Sequence, residues 1–428
     1  MLFWKYLQGQ TREVRKGGSR VAARKVRTGV RWLLDFLIGL PIVAGMWLLS
    51  PLIRIRFNPL DSYRLGHFVL SPDEYLCARD AGLNFPSCRH LDIAFFTTRI
   101  VPNIQVAKMW SRIFRIGPSW LLRRAYRVSH FLPGSARRDA STYALPPPPS
   151  YKATYLFQTM PPYLRLTDDE ESRGQEGLRA MGIPDGHQFI CLHNRDASYM
   201  PTVDCDVDET RSDYRNATIE SYQLAAEALA GRGYFVVRMG AVVASPLRSS
   251  SPYVINYATS GFRSDFMDVY LVSKCFFFLG SNSGLENLAH ALRRPVAIVN
   301  HAPVGSFISS CAMLVLAKQY FLLSEKRYLS LREIVARNVQ YFFLSHEYDK
   351  FGLRLVENTP EEIRDLGVEM VERLTGAWHA HPMDEGLQQR VIHACVQAKD
   401  EAVRRYRYNP FPARYSANFL RANPSWLD

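Results

Sequence analysis

The chain has 428 residues, of which 47% are hydrophobic and 22% are charged. This length allows two domains with separate cores, and this composition argues against an intrinsically disordered chain. The seven cysteines form no CxxC pair and no cluster at zinc-ligand spacing, which argues against a disulfide scaffold or zinc finger and indicates reduced thiols in a cytosol-facing protein.

The formal net charge of +13 is concentrated at the N-terminus. Residues 1–31 contain nine lysines and arginines and a single glutamate, so this segment is a basic arm. Such an arm suits anionic lipid headgroups or nucleic acid, and no nucleic-acid-binding motif follows it. The sequence therefore predicts a membrane partner and no nucleic-acid partner.

Residues 32–56 form the predicted membrane-associated segment. Its apolar part contains one charged residue, Asp35, and places Trp32 and Trp47 like interfacial anchors. Twenty-two residues are long enough to span a bilayer, but Pro41 and a carboxylate at depth disfavour a straight span. A span, a re-entrant or interfacial segment and a buried core helix all stay open. Because bases flank both ends, we expect attachment at the cytoplasmic face.

Residues 57–145 are predicted to form an N-terminal, acceptor-side α/β domain. The stretch DSYRLGHFVL is interpreted as a turn and strand that feed a helix over 71–80. A second strand is predicted over 91–98, followed by a helix over 104–127 that breaks near the Gly117–Pro118 pair. The proline-rich residues 146–174 have the composition of a linker.

Residues 175–383 alternate between apolar strands and helices, as a nucleotide-binding domain does. FICLHN, YFVVRMG, CFFFLG and PVAIVN are apolar almost throughout, and helical patterns lie between them. This pattern predicts a parallel sheet covered by helices on both faces. Residues 384–428 are predicted to form a C-terminal helix and a tail that crosses back over the domain junction. The fold class predicted from these patterns is α/β, with two α/β domains that follow the membrane-associated segment.

The loop GSNSG joins a predicted strand to a predicted helix. Ligands of parallel α/β sheets bind at the carboxyl ends of strands, where helix N-termini favour phosphate. Glu286, one turn into the helix, is placed to accept from ribose hydroxyls. The loop matches neither the P-loop nor the dinucleotide fingerprint, so it predicts a different phosphate site. Its candidate diphosphate-binding residues are Gly280, Ser281, Asn282, Ser283 and Gly284.

A second group of polar residues follows other strands of the same predicted sheet. Arg195 and Arg238 stand at strand ends, and Arg215 precedes a predicted helix. Arginine binds diphosphates through paired hydrogen bonds, so the three together predict an anion-lined crevice. Other polar residues in or beside these segments are His193, Asp196, Tyr214, Asn216 and Glu286.

His67 is the candidate catalytic base. Gly66 before it allows close approach of a substrate, and an imidazole titrates near neutrality. Asp61 and Asp80 are the alternatives. The acidic stretch DCDVDE at 204–209 lacks the glycine and glutamate of an EF-hand, so the sequence predicts no metal site and no cofactor.

Several motifs together resemble a known family. DSYRLGHFVLSPDEYLCARD, CLHNRDASYM, DYRNATIESYQ, FFFLGSNSGL and the ending ARYSANFLRANPSWL are similar to a bacterial glycosyltransferase family associated with surface-polysaccharide gene clusters. The resemblance begins near residue 55 and implies a GT-B-type fold. It also implies two Rossmann-type domains that face a cleft, with a nucleotide-sugar donor in the C-terminal domain and a glycan or lipid-linked acceptor on the N-terminal domain. The residues assigned to the donor nucleoside or sugar are then His193, Asp196, Tyr214, Arg215, Asn216, Arg238 and Glu286. Asn194 departs from the pattern, because an apolar strand residue is expected there.

The resemblance and the residues together predict a metal-independent glycosyltransferase at the cytoplasmic face of the cell membrane. Two alternatives stay open. A sugar-nucleotide epimerase of the same fold would share the phosphate loop without needing a membrane segment. A non-catalytic membrane scaffold for polysaccharide assembly would not need the arginines.

Overall fold

The computed structural model describes residues 2–82, 88–131, 156–157, 159–202, 209–305, 314–396 and 413–428. Within these ranges the chain forms two compact units, and each is described by itself. The smaller unit contains residues 1–60, 85–99 and 114–142. The larger unit contains residues 61–84, 100–113 and 143–428.

The smaller unit combines two helices with a two-stranded parallel sheet. Strands β1 and β2 pair in register from Arg54 opposite His90 to Leu60 opposite Phe96. Its elements are α1 (Leu2–Leu48), β1 (Arg54–Leu60), β2 (His90–Phe96) and α4 (Ser119–Ser129). Helix α1 leaves helical geometry at Gly18, where φ is 62° and ψ is −158°. In the described residues this unit therefore holds two strands, rather than the full Rossmann-type sheet that the sequence analysis predicts.

Two helices that the sequence analysis places in the N-terminal domain lie in the larger unit. These are α2 (Leu65–Asp80) and α3 (Ile104–Ile113). The predicted strand over YRLGHFVL is wrong, because α2 begins at Leu65 and runs through Pro72. Phe68 and Leu76 are fully buried, so an apolar run that reads as a strand covers the buried side of a helix.

The larger unit is built on a seven-stranded parallel sheet, which confirms the predicted α/β class. The strand order is β12-β8-β7-β6-β3-β4-β5. The strands are β3 (Phe189–His193), β4 (Phe235–Arg238), β5 (Val254–Ile255), β6 (Phe278–Gly280), β7 (Val296–His301), β8 (Leu314–Ala317) and β12 (Arg414–Tyr415). The central strands are buried along their length, as the apolar runs predict.

Helices and a small second sheet complete the larger unit. A three-stranded antiparallel sheet has β9 (Gln319–Leu322) between β10 (Arg327–Tyr328) and β11 (Leu353–Val356). The helices are α5 (Asp168–Ala180), α6 (Gln223–Ala230), α7 (Asp265–Lys274), α8 (Gly284–Ala291), α9 (Leu331–Ala336), α10 (Ser345–Lys350), α11 (Pro360–Thr375), α12 (Asp384–Val396) and α13 (Ala417–Ala422).

Local sequence signals place several of these helices correctly. Ser264 caps α7, and Thr359 with Glu362 forms the predicted capping box of α11. The predicted linker over 146–174 lies partly outside the described residues, and its last residues belong to α5. The C-terminal tail adds β12 to the edge of the large sheet beside β8.

Candidate functional site

The two polar segments predicted to share a site meet at the carboxyl edge of the large sheet. Strands β3 and β6 are parallel neighbours, with His193 opposite Gly280. Beyond these strand ends, the backbone N–H of Arg195 donates to Ser281 Oγ over 2.9 Å. Ser281 N in turn donates to the His193 carbonyl over 3.2 Å. The residues after β3 and the loop after β6 therefore form one hydrogen-bonded unit.

The polar groups of the GSNSG loop are largely used by the protein itself. Ser283 caps α8 through Oγ, which accepts from Glu286 N over 3.2 Å. The Glu286 carboxylate accepts from Ser283 N over 3.4 Å and contacts His290 Nε2 at 2.5 Å. Asn282 Oδ1 accepts from Ala302 N over 3.3 Å. Glu286 is predicted to accept from ribose hydroxyls, but its carboxylate is buried and already bonded to Ser283 N and His290.

The two glycines of this loop are required by packing. A Cβ on Gly280 would lie 2.5 Å from the His193 carbonyl oxygen in the neighbouring strand. A Cβ on Gly284 would lie 2.9 Å from the Leu65 Cβ and 3.1 Å from Gly66 N in α2. Both glycines are predicted to let a phosphate approach the backbone. In the structure, both positions already require glycine because a Cβ would clash with neighbouring protein atoms.

Helix α2 runs beside α8 in the same direction. At their starts, a Cβ on Gly66 would lie 2.5 Å from Asn287 Nδ2 and 3.6 Å from Gly284 Cα. Further along, Asp73 of α2 forms an ion pair of 2.6 Å with Arg293, just beyond the end of α8. Burial raises the pKa of Asp73 to about 6, although Arg293 opposes that shift. Parallel helices in contact bring both N-termini, with their partial positive charges, to the same end.

The N-terminus of α2 differs from that of α8 because it has no side-chain cap. Its N-cap residue is Arg64, which is extended (φ −140°, ψ 139°) and makes no capping hydrogen bond. A helix N-terminus presents several backbone N–H groups without intrahelical partners. Here a cation, Arg64, stands where capping residues usually accept from those groups. This uncapped helix start is suited to an anion from outside the chain.

Three arginines of the larger unit surround this helix start. Burial lowers the pKa of Arg195 to about 10, and the charges of Arg215 and Arg64 contribute to that shift. Burial also lowers the pKa of Arg215, again with a contribution from Arg64. Among the residues that the structure describes, none of the three lies within 4.0 Å of a carboxylate. Asp213 and Glu286 act on Arg195 and Arg215 from beyond ion-pair distance. Three mutually repelling cations with no described carboxylate in direct contact form a candidate anion site.

Polar contacts hold the arginine cluster in place. Arg195 Nη1 donates to the Ser212 carbonyl over 3.1 Å and also to Asn216 Oδ1. Lys318 Nζ donates to the carbonyl of the same Asn216. Burial lowers the pKa of Lys318 to about 8, Glu357 opposes that shift and Arg195 adds to it. Lys318 is thus a fourth cation beside the cluster.

Sequence reasoning misses Arg64 and Lys318. Arg64 immediately precedes the Gly-His pair, and Lys318 interrupts the apolar run LVLAKQYF, so each leaves a weak local signal. Their relevance depends on which distant segments approach them. That information lies in the packing of α2 on α8 and in the position of β8 in the sheet.

His67, the candidate base, lies in the first turn of α2, in the larger unit and beside the arginines. Its imidazole is exposed on one side and stacks on Tyr63 with a centroid distance of 5.5 Å. Partial desolvation lowers the pKa of His67, Asp61 raises it, and Arg64 and Arg215 lower it further. The imidazole is therefore neutral at pH 7 and able to accept a proton.

The two alternative bases differ in position. Asp61 is near enough to His67 for its negative charge to raise the pKa of the imidazole. Asp80 lies at the far end of α2, roughly 20 Å along the helix axis at 1.5 Å per residue. It accepts from Tyr163 Oη over 2.7 Å and pairs with Arg79. Asp61, and not Asp80, is therefore close to the arginine cluster.

Other predicted donor-site residues support the sheet edge from within. Arg238 is fully buried, and its Nη2 donates to Asn194 Oδ1 over 2.7 Å. Asn194 Nδ2 donates to the Ala217 carbonyl over 2.7 Å, which explains a polar residue where an apolar one is expected. Burial lowers the pKa of His193 to about 3, and Arg238 and Arg195 add to this, so its ring is neutral.

The remaining predicted residues flank the cluster. Asp196 accepts from Ser198 N over 2.8 Å and from Ala244 N over 3.1 Å. The Tyr214 ring packs 5.3 Å from that of Tyr348, and the Arg215 guanidinium lies 5.7 Å from the Tyr214 ring centre.

The acidic stretch at 204–208 lies outside the described residues. Among the residues that are described, no group of three or more His, Cys, Asp or Glu side chains is arranged to hold a metal ion.

No family model matches the sequence, and the search of curated proteins gives no match. Weak similarities to solved structures exist. ADP-heptose LPS heptosyltransferase II from E. coli is 14% identical with a TM-score of 0.38, over 74% of this chain and 98% of that chain. A glycosyl transferase family 9 structure from Veillonella parvula is 10% identical with a TM-score of 0.40, over 75% and 96%. E. coli heptosyltransferase WaaC with ADP is 13% identical with a TM-score of 0.33, over 62% and 91%. Similarities of this strength assign neither a family nor an activity.

Proposed function

We propose that the protein is a glycosyltransferase that transfers a sugar from a nucleoside-diphosphate-sugar donor to a glycan or lipid-linked acceptor in surface polysaccharide synthesis. The observation that carries this proposal is the cluster of Arg64, Arg195 and Arg215 at the uncapped start of α2, beside neutral His67. No described carboxylate lies in direct contact with these arginines, and we assign the donor diphosphate to that position.

The proposed chemistry assigns the arginines to the leaving group. During transfer, an acceptor oxygen bonds to the anomeric carbon while the bond from that carbon to the donor phosphate oxygen breaks. The departing nucleoside diphosphate gains negative charge. Preorganised cations and the N–H groups of a helix start stabilise such developing charge most effectively where water is excluded. Arg64, Arg195, Arg215 and the start of α2 offer these groups without requiring a divalent metal.

His67 is assigned to the acceptor. Its neutral imidazole accepts the proton of the acceptor hydroxyl as the new bond forms. The lowered pKa keeps the ring neutral at pH 7, as this role requires. The arginines that lower the pKa are those assigned to the diphosphate, so one cluster serves both steps.

We place the enzyme at the cytoplasmic face of the cell membrane. In support, residues 1–31 carry nine bases, and the most apolar 18-residue stretch within the helical segment Val21–Leu48 has a mean hydropathy of 1.5. The length and apolar composition of this helix suit contact with a membrane, either across it or along its surface. Nucleotide-sugar donors and lipid-linked acceptors would meet there.

Calorimetry with a panel of nucleotide-sugars and nucleoside diphosphates, in the presence of a chelator, tests the proposal. We expect at least one nucleoside diphosphate to bind the parent protein, and Arg215→Ala to weaken that binding by roughly 10- to 100-fold, as loss of a charge-assisted hydrogen bond does. The matched control is Arg248→Ala, which removes an exposed arginine elsewhere in the larger unit.

Three results would contradict the proposal in different ways. Binding that requires a divalent metal would remove the metal-independent mechanism. Conversion of a bound nucleotide-sugar without any acceptor would favour the epimerase. No binding across the whole panel by the folded protein would favour the non-catalytic scaffold.

A further inference from the structure

Helix α1 of the smaller unit has one face inside a protein core. Val43 and Met46 belong to a buried cluster with Phe57, Phe95 and Leu122, which lie on β1, β2 and α4. Gly39 lies so close to α4 that a Cβ would be 2.9 Å from the Arg124 carbonyl oxygen. Residues 35–46 of α1 are therefore packed, along one side, against the rest of this unit.

Asp35, the one acid in the apolar segment, lies on the same buried side. Its Oδ1 is 2.7 Å from Arg127 Nη2 and 3.6 Å from Arg124 Nε, both on α4. Only 2% of Asp35 is exposed. The carboxylate that disfavours a membrane span is thus neutralised within the unit.

The opposite side of α1 is apolar and exposed. Large side chains recur there at helical spacing, and Leu37 and Trp47 are 63% and 59% exposed. The exposed members are Leu33, Leu37, Leu40, Trp47 and Leu48. Helix α4 and the residues after it contribute the exposed Trp120 and Phe131, and the Phe131 ring lies 5.2 Å from that of Trp32. Contiguous exposed apolar surface of this kind marks an interaction face.

Arginines accompany this apolar face. Desolvation lowers the pKa of Arg123, and the nearby charges of Arg127, Arg99, Arg124 and Arg31 lower it further. Arg124 and Arg127 pair with Asp35. Among the described residues, no carboxylate lies within 4.0 Å of Arg31, Arg99 or Arg123. An apolar face beside unpaired cations complements an anionic bilayer surface, which combines acyl chains with phosphates.

We propose that the smaller unit binds an anionic lipid bilayer in the plane of the membrane, with the exposed face of α1 among the acyl chains and Arg31, Arg99 and Arg123 on lipid phosphates. This in-plane arrangement excludes a membrane-spanning α1. Residues 35–46 are packed against α4, so a span would carry α4 and its arginines into the hydrocarbon, where charged side chains are costly. The proposal concerns attachment alone and is independent of glycosyl transfer.

Flotation of the full-length chain with vesicles tests the lipid surface. Vesicles of phosphatidylcholine and vesicles that also contain phosphatidylglycerol are compared. We expect stronger binding to the anionic vesicles and a loss of about fivefold for each of Arg99→Ala and Arg123→Ala on those vesicles only. Arg248→Ala is the matched control. Equal binding of the parent and the two arginine variants to anionic vesicles would overturn the assignment of the arginines.

The apolar face is tested by Leu33→Ser combined with Leu37→Ser. We expect this double variant to lose binding to both kinds of vesicle, whereas Leu323→Ser, an exposed leucine of the larger unit, retains it. Far-UV circular dichroism and thermal unfolding of the double variant and the parent serve as the folding check. A double variant that floats like the parent, or a parent that binds no vesicle and instead associates with a protein through this face, would overturn the proposal.

Depth distinguishes the in-plane arrangement from a span. A fluorophore is attached to Leu40→Cys in a Cys88→Ser background, and the background protein alone corrects for labelling elsewhere. Quenchers placed near the lipid headgroups should then quench more strongly than quenchers near the chain ends. The reverse order would place residue 40 at the bilayer centre and would show that α1 spans.

Discussion

The two helix N-termini at the candidate site are neighbours with opposite chemistry. Helix α8 begins with Ser283 and Glu286 in a complete capping box, and Glu286 is further bonded to His290. Helix α2 begins with Arg64, which supplies no cap. Since Gly66 and Gly284 bring the two starts into contact, both lie at the same sheet edge. The GSNSG loop, which stands out in the sequence, thus opens a capped helix, whereas the uncapped start of α2 is the one that we assign to an anion.

This comparison moves the candidate phosphate site away from the loop that the sequence favours. At α8, Ser283 Oγ accepts from Glu286 N, and the Glu286 carboxylate accepts from Ser283 N. This carboxylate places negative charge at the helix start, which opposes a phosphate. At the start of α2 the N-cap residue Arg64 supplies no capping hydrogen bond and adds positive charge. The predictions below test this difference.

The largest effect is expected at His67, in the first turn of α2. His67→Ala should lower kcat by about 10²–10⁴-fold, because that is the usual contribution of a positioned base. Nucleotide binding should stay unchanged, as the arginines remain. Steady-state rates and calorimetry measure the two quantities. His346→Ala, which removes an exposed histidine elsewhere in the larger unit, is the control. An unchanged kcat would transfer the role to a carboxylate such as Asp61.

The next effect is expected at Arg64, the N-cap residue of α2. Arg64→Ala should weaken nucleoside diphosphate binding by about 1.5–3 kcal/mol, the usual contribution of a hydrogen bond to a charged group. Calorimetry at fixed salt measures the loss, with Arg248→Ala as the control. Equal affinities of the parent and Arg64→Ala would return the anion to the start of α8.

Much of the fold follows from local signals, whereas the site does not. The capping boxes at Ser283 and Thr359 and the apolar strands are determined by residues a few positions apart, so the sequence predicts them. The start of α2 is missed because three consecutive apolar residues, Phe68, Val69 and Leu70, are typical of a buried strand. In the structure all three are buried within a helix. The proximity of Arg64 to Arg195 and Arg215 depends on that packing between distant segments. A local sequence pattern therefore cannot predict that these three arginines lie close together.

A smaller effect is expected from the cap of α8. Ser283→Ala should lower the free energy of unfolding by about 1 kcal/mol through loss of the capping hydrogen bond, and nucleotide affinity should stay close to that of the parent. Chemical denaturation and calorimetry measure these two quantities, and Ser250→Ala, at an exposed position, is the control. If Ser283→Ala loses nucleotide affinity as strongly as Arg64→Ala does, the two helix starts share one ligand and the contrast between them fails.

The smallest effect is a shift in pH dependence. If neutral His67 is the base, kcat/KM should rise with pH through the pKa of the free enzyme, and that pKa should lie below 6.5, because desolvation and the nearby arginines lower it. Two substitutions should move this midpoint in opposite directions. Arg64 lowers the pKa, so Arg64→Ala should raise the midpoint; Asp61 raises the pKa, so Asp61→Asn should lower it. Initial rates at low donor concentration across the pH range measure both shifts. Loss of activity in Asp61→Asn at every pH would instead identify Asp61 as the base, with His67 beside it as a positioning residue.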